Sequence, residues 1–101
     1  MTEFATVVIY DITNDKLRYK IEKICQKYGM AHIQRSAFVG FMTESMRRQL
    51  YVEILTELEE NKEEASVRIY RIRQKDYRET LKIGQLEGFD PDPKPQKTII
   101  Q

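Results

Sequence analysis

The chain has 101 residues, 41% hydrophobic and 33% charged, with six Tyr, four Phe, no Trp and a net charge of +1. That length holds one domain with a two-layer core and leaves no room for a second. No apolar run approaches the roughly 20 residues of a membrane span. MTEFATVV also lacks the basic start and apolar stretch of a secretory signal, so a cytoplasmic protein with no membrane partner is expected. Cys25 is the only cysteine, which excludes an internal disulfide and argues against a thiolate metal centre. Charge is unevenly spread. Residues 53–64, EILTELEENKEE, carry six Glu and one Lys, a net of −5 that leaves +6 elsewhere. That imbalance is a weak pointer to an anionic partner.

FATVVIY is β-rich and nearly continuous in apolar residues, the pattern of a central strand covered on both faces. TND follows, offering Thr13, Asn14 or Asp15 as a helix N-cap. Leu17, Ile21, Ile24, Cys25 and Tyr28 then recur at helical spacing, with Gly29 placed to end the helix. Cys25 falls on this stripe as a packing residue. AHIQRSAFVGFM reads as extended, with Gly40 marking a bulge or tight turn between two short strands. Thr43 opens a second helix whose stripe is Met46, Leu50, Tyr51, Ile54, Leu55 and Leu58.

ASVRIYRIR is a strand by its β-branched and aromatic content. Arg71 and Arg73 share one parity, and Arg68, Tyr70 and Ile72 the other, so neither face is purely apolar. A rim salt-bridged to the Glu-rich helix end and a contact with nucleic-acid backbone are the two readings of these arginines. The order of elements predicts an α+β protein, a ferredoxin-like βαββαβ sandwich over residues 1–84 with two helices on one sheet face. DYRETLKIG reads as a turn plus a short strand. Residues 85–101 form a separate extended arm: Pro91, Pro93 and Pro95 alternate, and KTIIQ is a terminal β-prone segment. Such an extra C-terminal strand pairs with an edge of its own sheet or, preferably, of a neighbour's.

Asp11 ends the first strand just before a basic helix. An acid there commonly serves as a cap or turn residue, but Thr13, Asn14 and Asp15 already supply cap oxygens. Arg18 is equally readable as a solvated helix residue or a phosphate contact. Periodicity places Tyr10 and Phe38 in the core. His32 has no second histidine with which to build a metal site or an acid–base pair. The chain has no Gly-rich phosphate loop and no GxSxG elbow.

Three blocks in order, "VVIYDITNDKLRYKIEKICQKYG", "IQRSAFVGFMT" and "SVRIYRI", closely resemble the small endonuclease of the CRISPR adaptation module, which accompanies the CRISPR integrase in spacer acquisition. The resemblance covers roughly residues 4 to 72, with a weaker match through Ile83 and Gly84. It implies a homodimer with exchanged C-terminal strands and a Mg²⁺-dependent (or other divalent-cation-dependent) phosphodiesterase acting on RNA or DNA in antiviral defence. It also implies an alternative, a non-catalytic scaffold bridging integrase dimers and supporting DNA. By the same resemblance Asp11 is the metal ligand and motif carboxylate, with Tyr10, Arg18 and Phe38 as site residues. Lys16, Arg18, Lys20 and Arg35 are the implied nucleic-acid contacts. Lys20 stands where many members of that family carry a second basic residue, often Arg, and His32 where some carry Arg. Lys20 thus keeps charge without the forked grip on phosphate, and Arg35 partly compensates. One carboxylate per chain is too few for Mg²⁺, which takes six oxygens; a two-fold axis would bring two Asp11 side chains to one ion. A toxin-like ribonuclease of similar fold is a more distant reading.

Overall fold

The structure, a computed structural model, describes residues 2–61 and 64–84. The element order is β1 (Phe4–Ile12), α1 (Asp15–Lys27), β2 (Ala31–Gln34), β3 (Ala37–Met42), α2 (Glu44–Asn61), β4 (Ala65–Ile72) and α3 (Gln74–Arg78). The strands form one antiparallel sheet in the order β2-β3-β1-β4. This is the expected ferredoxin-like α+β sandwich. The expected arm and terminal strand, residues 85–101, lie outside the described residues.

The helix boundaries follow from local chemistry. Asn14 is the cap of α1: its side-chain oxygen accepts from the Leu17 amide at 2.8 Å, satisfying one of the amides a helix start leaves free. Gly29 ends the helix with φ +78°, a conformation that costs glycine little. Thr43 Oγ1 accepts from the Met46 amide at 3.3 Å and caps α2.

Alternation along β1 divides the molecule. Val8, Tyr10 and Ile12 point to the helices and join Leu17, Ile21 and Cys25 of α1, Leu50 and Ile54 of α2, and Phe38 and Met42 of β3 in the main core. Ala5 and Val7 point the other way, where they meet Val39 and Tyr77 in a smaller cluster. The ring of Tyr77, on α3, sits edge-on to Phe41 at 5.7 Å. β1 is therefore central, yet its second face is covered only near its start: Ile9 is 45% exposed.

Four expectations change. Gly40 is neither turn nor bulge; it lies within β3 opposite Thr6, and glycine suits that position because a Cβ there would come within 2.8 Å of Met30 Cγ. The turn between β2 and β3 is at Arg35–Ser36, and the irregularity falls between His32 and Gln34. The stripe proposed for α2 covers two surfaces: Leu50 and Ile54 are buried, whereas Met46, Tyr51 and Leu55 are exposed. Residues 74–78 are a short helix, not a turn and strand, because Tyr77 anchors them on the sheet.

The β4 arginines also differ from expectation. Arg71 bonds Glu44 Oε1 at 3.4 Å and lies 4.6 Å over the Phe4 ring. Its acid is thus in the first turn of α2, at the opposite end from the Glu-rich stretch, because antiparallel pairing sets Arg71 across from Thr6 near the start of β1. Arg47 grips the same carboxylate through two 2.9 Å bonds, and Arg48 adds a third guanidinium at 3.1 Å. Arg73 pairs locally with Asp76 at 2.9 Å.

Candidate active site

Asp11 is the penultimate residue of β1 and is exposed. Pleating sends it to the face away from α1 and α2, where its cross-strand neighbour is Ser66 of β4. Two hollows meet at this carboxylate. One, of about 520 Å³, is lined by Asp11, Thr13, Glu64, Ala65 and Ser66. The other, of about 390 Å³, is lined by Asp11, Ile12, Arg18, Glu22, Arg35 and Ser36. The Tyr10 amide donates to the Ser36 carbonyl at 3.1 Å, clipping the β2–β3 turn onto the end of β1. That bond brings Arg35 beside Asp11.

Arg18 reaches the second hollow from the first turn of α1. Its guanidinium bonds Asp15 at 2.8 Å and approaches the Ile12 carbonyl at 3.5 Å, leaving the side chain 38% exposed. Because Asp15 is far more exposed still, this pair is readily traded for a phosphate. Arg18 and Arg35 therefore set two cationic groups around an exposed carboxylate, an arrangement whose guanidiniums suit an anion such as a phosphate.

The other residues named from sequence divide into two groups. Tyr10 and Phe38 are 3% and 1% exposed, stack at 6.1 Å and belong to the core side of the sheet. They back the site from beneath. Lys16 is exposed on α1. Lys20 leans to α2, 3.8 Å from Glu57, and does not line either hollow. His32 stacks on Phe38 at 3.9 Å, with Nε2 3.2 Å from Tyr10 Oη. Burial, and the Glu22 carboxylate to which it donates, push the Tyr10 phenol well above its ordinary range, so it stays protonated.

Sequence reasoning did not single out Glu22, Ser36 or Ser66. Ser66 shares its parity with Arg68 and Tyr70, a signal present in the sequence, but only the β1–β4 register sets that parity beside Asp11. Glu22 lies one residue from the apolar stripe of α1, as many solvated acids do. Among the described residues no group of three or more His, Cys, Asp and Glu side chains is arranged to hold a metal ion.

A ferredoxin-like sandwich with an acid–arginine hollow at the end of its first strand defines a structural class shared by many activities. The comparison with known proteins is narrower: the family model of CRISPR associated protein Cas2 matches residues 4–80, and the chain belongs to that family. It is 31% identical over 93 residues to the CRISPR-associated endoribonuclease Cas2 2 of Pyrobaculum aerophilum, covering 92% of this chain and 93% of that one. It is 49% identical over 49 residues to the CRISPR-associated endoribonuclease Cas2 of Korarchaeum cryptofilum, covering 48% and 52% of the two chains. Against several curated relatives the match spans about half their length. Among solved structures, a chain of the "Partial Cas6-RT-Cas1--Cas2 complex" superposes with a TM-score of 0.61 and 27% identity, covering 79% of this chain and 82% of that one. Among the described residues, no helix is long and apolar enough to cross a membrane.

Proposed function

We propose that the protein is a divalent-cation-dependent endonuclease, cutting phosphodiester bonds in RNA or DNA as part of CRISPR spacer acquisition. The observation that carries this reading is the exposed Asp11 carboxylate in a hollow shared with Arg18 and Arg35. The relatives from Korarchaeum cryptofilum and Pyrobaculum aerophilum are named endoribonucleases, which supports the reaction class.

The donors around Asp11 fit a hard cation. Asp11, Glu64 and the hydroxyls of Thr13 and Ser66 present only oxygen, the ligand type Mg²⁺ takes. Among the described residues one chain's set is incomplete, so the site is proposed to be shared by the two Asp11 carboxylates of a homodimer. When bound, the ion would supply an activated water and charge stabilisation at the phosphate. The protein's own part is to hold the substrate: Arg18 and Arg35 neutralise the phosphates flanking the cleaved bond, and their contacts with nucleic-acid backbone carry no base preference. Serine hydroxyls at positions 36 and 66 offer further hydrogen bonds to phosphate oxygens.

The dimer has a physical motive beyond the site. β4 is an edge strand among the described residues. Beside it runs an open groove of about 550 Å³, lined by Tyr51, Leu55 and Leu58 of α2 and Val67 and Ile69 of β4. A β-prone segment such as residues 97–101 of a partner is proposed to satisfy that edge and cover these side chains.

A scaffold bridging integrase subunits is the second reading. The match to a chain of the "Partial Cas6-RT-Cas1--Cas2 complex" favours it. Asp11→Asn separates the two. Purified wild type and Asp11→Asn are incubated with labelled RNA and duplex DNA, with Mg²⁺ and with EDTA. The nuclease reading expects Mg²⁺-dependent cleavage that falls at least about 100-fold in the variant, with nucleic-acid binding retained. Absence of Asp11-dependent cleavage, together with intact spacer integration by Asp11→Asn, would establish the scaffold instead.

A further inference from the structure

Behind Asp11, on the core side of the same strand end, three polar side chains from three elements converge. Tyr10 Oη of β1 lies 2.7 Å from Glu22 Oε2 of α1, 3.2 Å from His32 Nε2 of β2 and 3.3 Å from the Arg35 carbonyl. A phenol has one proton to give. The carboxylate, charged and nearest, takes it. The His32 contact must then run the other way, with Nε2–H donating to the phenolic oxygen. His32 Nε2 is also 4.0 Å from Glu22 Oε2, so this orientation points its N–H toward negative charge. Stacking on Phe38 at 3.9 Å holds the imidazole in that plane.

The three groups meet at the β2–β3 turn. Tyr10 binds it from the backbone, through the Ser36 carbonyl, and its hydroxyl stands beside the Arg35 carbonyl. The turn in turn carries the Arg35 and Ser36 side chains that line the hollow with Asp11. Glu22 is 22% exposed and is the only one of the three that lines the hollow directly. If its carboxylate is lost, the Tyr10 proton turns to His32 Nε2, at 3.2 Å the nearer of the two remaining acceptors against 3.3 Å for the Arg35 carbonyl, and two strand ends and a turn lose their common anchor.

We infer that Glu22 is a positioning residue for the Asp11 site: by holding the Tyr10 hydroxyl it fixes the proton of His32 on Nε2 and the Arg35–Ser36 turn beside Asp11. The consequence for cleavage rests on the nuclease reading above; the consequence for His32 and the turn does not. His32, Tyr10 and Glu22 act here as a single hydrogen-bonded unit, so their removal should not be additive.

The test has two arms, run on wild type, Glu22→Gln, Glu22→Ala, Tyr10→Phe and the Glu22→Ala/Tyr10→Phe double variant. In the first arm, ¹⁵N NMR at about pH 8.5, two units above an ordinary imidazole pKa, reads which ring nitrogen of His32 carries the proton. Amide signals of Arg35 and Ser36 report the turn. Wild type should show Nε2–H. Glu22→Ala should move the proton to Nδ1 and shift both amides, whereas Glu22→Gln, which still accepts through its amide oxygen, should keep the wild-type pattern. Wild type with the proton on Nδ1, or Glu22→Ala with ring and amide signals unchanged, would overturn the inference. In the second arm, kcat/KM should fall by roughly tenfold in Glu22→Ala and in Tyr10→Phe, by less than about twofold in Glu22→Gln, and no further in the double variant. Losses that multiply would also overturn it. If wild type cleaves nothing, the nuclease reading fails, and the NMR arm still decides the role of Glu22. Tyr10→Phe and Glu22→Gln keep the test open should Glu22→Ala fail to fold.

Discussion

The two faces of the sheet are built from the same strands and could hardly differ more. On one, Val8, Tyr10, Ile12, Phe38 and Met42 lie under α1 and α2 and are at most 5% exposed. On the other, α3 shelters only the start of β1, and beyond Val7 the surface turns into a mosaic of Ile9, Asp11, Ser66, Arg68 and Tyr70. Period-two alternation puts neighbouring residues of one strand into these opposite environments. Tyr10 is locked in a polar network inside while Asp11, next to it, stands in the open. A covered face can supply stability while an uncovered one keeps a charged site accessible, and a single strand serves both.

The contrast can be broken most severely from the covered side. Leu50→Ala empties a fully buried position between α2 and the sheet and should cost about 2–5 kcal/mol, read by urea unfolding at fixed protein concentration. Ile9→Glu attacks the other face. It should leave helix content intact but convert the proposed dimer to monomer, read by light scattering. A variant that stayed dimeric would place the dimer contact elsewhere.

A smaller effect concerns the acid-dependent part of stability. Hydrogen bonds from Arg47, and then the charges of Arg47, Arg71 and Arg48, hold the Glu44 carboxyl down to about 2, against an ordinary 4.5. A depressed carboxyl stabilises the fold above its unfolded pKa, and this contribution fades as pH falls from 4.5 through about 2. Glu44→Gln lacks it from the start. Its unfolding midpoint should lie below that of wild type at neutral pH, and the two curves should converge in acid.

The mildest test leaves the sequence untouched. Burial first, and the nearby Glu22 charge second, push the Cys25 thiol up to about 12, and the side chain is fully enclosed in the main core. Iodoacetamide should therefore modify folded protein negligibly and unfolded protein fully, as mass spectrometry would show. Rapid labelling of the folded chain would mean that the covered face opens more readily than its packing implies.

Much of this was legible in the residues themselves. The stripe of α1, the cap at Asn14 (one of three candidates) and the stop at Gly29 follow from short-range rules that sterics and hydrogen-bond satisfaction enforce within one element. Asp11, Arg18 and Arg35 are also marked in the sequence, chiefly by resemblance to a family to which the chain belongs, and they line one hollow. Lys20 was named with them, but it leans to Glu57 across the helix pair; a helix stripe says which side a residue occupies, not which neighbour it meets.

What the sequence determined by itself, then, is where each element begins and which of its sides is apolar, because those depend on spacing and on the backbone groups at its ends. Tertiary structure alone decided the partners. Strand register set Ser66 beside Asp11 and Arg71 within reach of Glu44. The close approach of Met30 calls for glycine at position 40, inside β3 rather than in a turn. The meeting of α1, β1 and β2 turned Glu22 from an ordinary surface acid into the acceptor for Tyr10. Those contacts join residues 10 to 55 positions apart in the chain. Spacing within one element carries no information about such distances; packing between elements creates them.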